Sequence, residues 1–147
     1  MRVSWLVAVG LAAVAAAVGL WALRRPAESP ERQVLATAEA MAAAARAHDP
    51  AGVLEHVSER FQSPELGGKP ELRAYLLGQL LRGGVVEARL IESRVELRSP
   101  DEARLTARLL MGQTAGALDL GQRALDATFV REDGTWRVLE ARVRPVE

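Results

Sequence analysis

FVREDGTWRVLEARV, residues 129–143, decides how the chain is read. Asp133-Gly134 supplies the left-handed backbone conformations that a two-residue hairpin turn demands, and apolar residues alternate with polar ones on both sides. Phe129 and Trp136 flank the turn, placed to pack across the strand pair. The expectation is a terminal β-hairpin with strands near 123–131 and 135–144.

Working backwards, residues 102–111 form the cleanest strand pattern. Ala103, Leu105, Ala107, Leu109 and Met111 point one way, and Arg104, Thr106 and Arg108 the other. Ser99-Pro100-Asp101 is the turn before it. Residues 85–98 also alternate, but the phase slips at Leu90-Ile91, which predicts a β-bulge. GQTAGALDLG, residues 112–121, reads as a Gly-rich connection.

Before residue 82 the period is helical. Ser29 as N-cap and Pro30 at the first position open a helix over 31–47, with Val34, Ala38, Met41 and Ala45 on one face. Asp49 and Pro50 open a second, over 51–59, burying Val53, Leu54 and Val57. SPELGGKP, residues 63–70, is a loop by composition. A third helix over 70–81 carries Leu72, Tyr75, Leu76 and Leu80, and Gly83-Gly84 stop it. Three helices followed by four antiparallel strands mean an α+β domain, with helices packed on one face of a curved, cone-like four-stranded sheet.

The N-terminus differs from all of this. From Val3 to Leu23 no residue is charged, and at 1.5 Å per helical residue the segment spans roughly 31 Å, the thickness of a bilayer's hydrocarbon core. Trp5 and Trp21 stand near its ends, where indole rings favour the headgroup region, and Arg24-Arg25 stop it. The expected division is a membrane anchor at 1–25, a linker at 26–30 and the α+β domain at 31–147. A cleaved signal peptide is the competing reading, with Ala13-Val14-Ala15 or Ala15-Ala16-Ala17 as its site. Cleavage there would leave an apolar VGLWAL or longer at the new terminus, so an uncleaved anchor is preferred. The lipid bilayer is then the partner of residues 3–23.

The chain has 19 basic and 19 acidic residues. Three of the basic ones, Arg2, Arg24 and Arg25, lie in the anchor, which leaves 16 against 19 for the rest. That balance excludes a nucleic-acid binder. The 147 residues include no cysteine and two histidines, so neither thiolate chemistry nor a spaced metal-ligand cluster is available, and no cofactor is expected.

The order of elements resembles the nuclear transport factor 2-like superfamily, which includes ketosteroid-isomerase-like and polyketide-cyclase-like proteins. The likeness rests on ARAHDPAGVLEHVSERF (45–61), PELRAYLLGQL (70–80) and the terminal hairpin, where Phe129, Gly134, Trp136 and Val138 match an aromatic, Gly, Trp and hydrophobic spacing. It covers roughly residues 31–145. It implies a cone-shaped fold whose enzymes work inside the cone, with a carboxylate base facing hydrogen-bond donors, or with Asp-Arg or His-Asp sets. It also implies frequent dimerisation through the sheet. Arg24, Arg25 and Arg32 after the anchor against Arg2 before it favour a cytoplasmic domain by the positive-inside rule. A short N-terminal signal-anchor with its domain exported is nevertheless a common arrangement, and a single-pass inner-membrane protein with an extracytoplasmic domain is preferred. The short linker keeps the domain within roughly 20 Å of the bilayer, which favours a membrane-protein partner. Membrane-bound relatives in bacterial secretion systems suggest an assembly role by analogy.

The inward faces supply little for catalysis. Residues 102–111 present only Ala, Leu and Met, and 123–131 present Leu125, Ala127 and Phe129, with Asp126 on the solvated face beside Arg123. Ser93 is the most plausible inward polar residue of 85–98. His56 and Tyr75 are the candidate ligand contacts, and Glu55, Glu59 and Arg60 read as a solvated helix face. No catalytic set emerges, because a general base needs a carboxylate or imidazole aimed at the substrate. The preferred function is a non-catalytic membrane-tethered interaction or envelope-assembly domain; a small-molecule binder using the cone is the alternative, and an isomerase- or hydrolase-type enzyme comes third.

Overall fold

The computed structural model describes residues 28–81, 85–114 and 118–146. The predicted anchor at 3–23, with Trp5, Trp21, Arg24 and Arg25, lies outside these residues. Among the described residues no helix is long and apolar enough to cross a membrane.

Helix α1 spans Pro30–Arg46, and the Ser29 hydroxyl caps it by accepting from the Arg32 amide at 3.3 Å. Helix α2, Pro50–Leu54, is capped by Asp49, whose carboxylate accepts from the Gly52 amide at 3.0 Å. Strands β1 (Val57–Ser63) and β2 (Gly67–Gly68) follow, then helix α3 (Lys69–Leu81). Four long strands complete the domain: β3 (Val85–Ser99), β4 (Glu102–Thr114), β5 (Leu118–Glu132) and β6 (Thr135–Pro145). The sheet therefore has six strands, in the order β2-β1-β6-β5-β4-β3, and not the four expected.

The two additional strands come from the segment 51–70, read above as helix and loop. Helix α2 ends at Leu54 after five residues, and Val57 begins β1, which runs parallel to β6. Val57 and Phe61, buried at 1% and 2% exposure, are four residues apart, a spacing that fits one face of a helix and one face of a strand equally well. The open edge of β6 resolves the ambiguity. Its backbone groups need partners, and β1 supplies them, with Val57 opposite Val138 and Gln62 opposite Glu140. Glu59 and Arg60 thus stand on a strand and not on a helix face.

The hairpin forms as its sequence predicts. Asp133 and Gly134 adopt φ of 51° and 78°, both in the left-handed region that a two-residue turn of this hand requires. Phe129 and Trp136 are not the cross-strand partners that the sequence predicts: the register sets Phe129 opposite Val138 and Trp136 opposite Arg131, whose guanidinium sits 5.4 Å from the indole centroid. The Trp136 indole nitrogen donates to Gln33 Oε1 at 3.1 Å, which joins the hairpin to α1. The bulge in β3 is also present: the register with β4 shifts between Ile91 and Arg94, and Glu92 takes φ of 52°. Ser93, expected to point inward, is exposed, because it sits where the strand changes phase. The predicted connection at 112–121 is mostly strand, since β4 continues to Thr114 and β5 begins at Leu118.

Helices α1 and α3 cover one face of the sheet. The core beneath them gathers Val34, Phe61, Leu72, Leu105, Phe129, Trp136 and Val138. Arg46, in the last turn of α1, donates to the Ala88 carbonyl of β3 and ties that helix to the sheet's far edge.

Candidate functional site

A cavity of about 250 Å³ lies between the helices and the concave face of the sheet. Its origin is legible residue by residue. Six alanines line it: Ala38, Ala42 and Ala45 from α1, Ala88 from β3, Ala127 from β5 and Ala141 from β6. Ala127 and Ala141 face each other across the β5–β6 ladder, so methyl groups stand where cores commonly place branched side chains. Larger apolar residues, among them Phe61, Leu105 and Phe129, close the floor.

The wall is almost wholly apolar. Tyr75 and Gln79, four residues apart on α3, are the only described lining residues with polar side-chain atoms. Tyr75 is 45% exposed and Val143 is 39% exposed, which places both at the mouth. Val143 pairs with Leu125 and Ala141 with Ala127, so the inner faces of β5 and β6 run from the mouth towards Phe129 and Val138.

Of the two candidate contacts from the sequence, the structure places Tyr75 on the cavity rim and His56 off its lining. His56 occupies the turn between α2 and β1. Its carbonyl accepts from the Val138 amide at 2.9 Å, and its Nε2 lies 3.8 Å from Glu55 Oε1. The two candidates are not brought together. Gln79, which sequence reasoning missed, was findable from its spacing of four from Tyr75.

The charged residues gather elsewhere. On the outer face of the sheet, Arg104 and Asp126 form a two-pronged ion pair, with Arg104 Nε donating to Asp126 Oδ1 at 3.0 Å and Nη2 donating to Oδ2. Asp126 is on the outer face as expected, with Arg104 as its partner and not Arg123. The Arg104 hydrogen bond holds the Asp126 carboxyl below its ordinary value; burial opposes this, and the charges of Arg104, Arg144 and Arg142 reinforce it. Arg98, Thr128, Glu140, Arg142 and Arg144 surround the pair in a shallow charged depression. Near the hairpin turn, Glu132 accepts from the buried Ser58 hydroxyl at 3.1 Å and from Arg60 Nη2 at 3.2 Å. Lys69 donates to Glu59 at 2.7 Å and lowers that carboxyl's pKa. Among the described residues no group of three or more His, Cys, Asp or Glu is placed to hold a metal ion.

No protein-family model matches the chain, and no curated protein matches it. Solved structures match its shape. A ketosteroid isomerase-like protein from Erwinia carotovora atroseptica superposes with a TM-score of 0.68 at 17% identity, over 82% of this chain and 98% of that one. A candidate calcium/calmodulin dependent protein kinase II association domain from Xanthomonas campestris gives 0.71 at 16% identity, over 82% and 91%. A protein of unknown function with a cystatin-like fold from Nostoc punctiforme gives 0.62 at 16% identity, over 76% and 86%. The domain therefore has the cystatin-like α+β cone fold shared by nuclear transport factor 2-like and ketosteroid isomerase-like proteins. At these identities the likeness is one of fold, and such folds host many activities.

Proposed function

We propose that this domain is a non-catalytic receptor for an apolar small molecule, held beside a membrane by residues 3–23. The observation that carries the reading is the cavity of about 250 Å³, lined almost wholly by aliphatic and aromatic side chains and open at one end past Tyr75 and Val143. Filling an apolar cavity of this kind is favourable for an apolar molecule leaving water. Turnover by acid–base chemistry needs a carboxylate or imidazole aimed at the occupant, and none of the described lining residues carries one. This favours binding over an isomerase-type reaction. The anchor suits the same role, because apolar molecules concentrate in bilayers.

The test is thermal unfolding of the full chain across a panel of neutral apolar compounds. A ligand that binds only the folded state raises Tm with concentration. A panel that leaves Tm unchanged at saturation removes the receptor reading. A second reading, an interaction or assembly domain that pairs through its sheet, is supported by the charged outer depression around Arg98, Arg104 and Arg142. Reversing Arg142 to Glu and measuring oligomeric mass by sedimentation tests it, since a sheet-mediated dimer must respond to that change.

A further inference from the structure

If the cone is a receptor, its wall also specifies the polarity and size of what it holds. All polar side-chain atoms on the described wall belong to Tyr75 and Gln79, one turn apart on the same face of α3. Tyr75 stands at the mouth, 45% exposed. Among the described residues neither its hydroxyl nor the Gln79 amide has a hydrogen-bond partner, and both line the cavity with donors and acceptors to offer an occupant. Each can donate and accept. Deeper in, towards Phe61, Leu105 and Phe129, the wall offers only hydrocarbon. A second polar end placed there loses its water without compensation. A charged group fares worse, because no described lining residue carries an opposite charge.

Size follows from volume. An apolar cavity of 150 Å³ accepts benzene, roughly 25 Å³ per non-hydrogen atom, so about 250 Å³ accommodates on the order of ten such atoms. We infer that the occupant is a neutral, single-headed amphiphile of about that size. Its hydroxyl, carbonyl or carboxamide meets Tyr75 and Gln79, and its hydrocarbon body lies within the cone.

Tyr75 is the chain's only tyrosine, so the full chain labelled with ¹³C-tyrosine gives one ring signature, located at the rim. The probes are 1-hexanol, 1-decanol, 1-tetradecanol, 1,10-decanediol, decanoate and the hydrocarbon p-cymene, with p-cymene binding read by thermal shift. The expected result is that 1-decanol moves the Tyr75 ring signal and binds at least about tenfold tighter than the diol or the carboxylate. Gln79→Leu is expected to weaken 1-decanol about fivefold while leaving p-cymene unchanged. Binding of none of the probes, p-cymene included, refutes the receptor reading itself. Diol or decanoate binding as tightly as 1-decanol overturns the single-headed assignment and leaves the receptor reading standing. Tightest binding by 1-tetradecanol overturns the size, and an unchanged 1-decanol affinity in Gln79→Leu overturns the rim's role.

Discussion

Replacing Ala141 with leucine tests the cavity through the sign of a stability change. Ala141 lies on β6 opposite Ala127, lines the cavity and packs against the core. The substitution adds three carbons, roughly 75 Å³ on the scale of 25 Å³ per atom, which is well under the 250 Å³ open to it. Burying them gains about 2.4 kcal/mol at 0.8 kcal/mol per carbon. Fixing a leucine rotamer costs about 0.5–1 kcal/mol. The net expectation is stabilisation by about 1.5 kcal/mol, or an increase in Tm of about 6 °C. A core already packed to ordinary density would respond oppositely, since an inserted leucine then costs about 1–3 kcal/mol. Thermal unfolding of the full chain, followed by far-UV circular dichroism without added ligand, reads the difference. A lowered Tm would refute both the cavity and the functional reading built on it. The same variant should shorten the preferred alkanol by about three carbons, because that much of the volume is taken.

Other consequences reach the rest of the domain. Gly134→Val should cost about 1–2 kcal/mol, because φ is 78° there and a side chain meets no neighbour that would add or relieve strain; an unchanged Tm would rule out the proposed turn. Gln33→Ala should cost about 1–2 kcal/mol by leaving the buried Trp136 N–H without its acceptor, and a Trp136→Phe background should abolish most of that loss. Asp126 has a folded-state pKa below its unfolded value, so its contribution is present above the ordinary carboxylate range and disappears as pH falls through the folded value. The Tm gap between the wild type and Asp126→Asn should therefore be constant near neutrality and close below about pH 4; parallel curves throughout would contradict the ion pair's role.

Much of the architecture was legible because the local pattern and the final environment agree. Ala103, Leu105 and Ala107 alternate with Arg104 and Thr106 in the sequence, and the first three are buried while the others face outward. Asp133-Gly134, Ser29 and Asp49 each carry their own backbone chemistry, and each is found in the role its residue type implies. The bulge of β3 announced itself as a phase slip, within a few residues of where the register shifts.

The sequence by itself determined the α+β class, the helix caps, the hairpin and which face of β4 and β5 is buried, since each depends on residues within a few positions of one another. Only the tertiary structure decided that residues 57–63 are a strand, because the deciding partner, the open edge of β6, lies some eighty residues further along the chain. The same holds for the site. Ala38, Ala88, Ala127 and Ala141 are small residues on four separate elements, and a cavity arises only where all four face the same space. Tyr75 was visible as a candidate, but its place at an apolar mouth beside Gln79 depends on α3 lying over the sheet. Volume left empty is a property of packing between distant segments, and no local pattern encodes it.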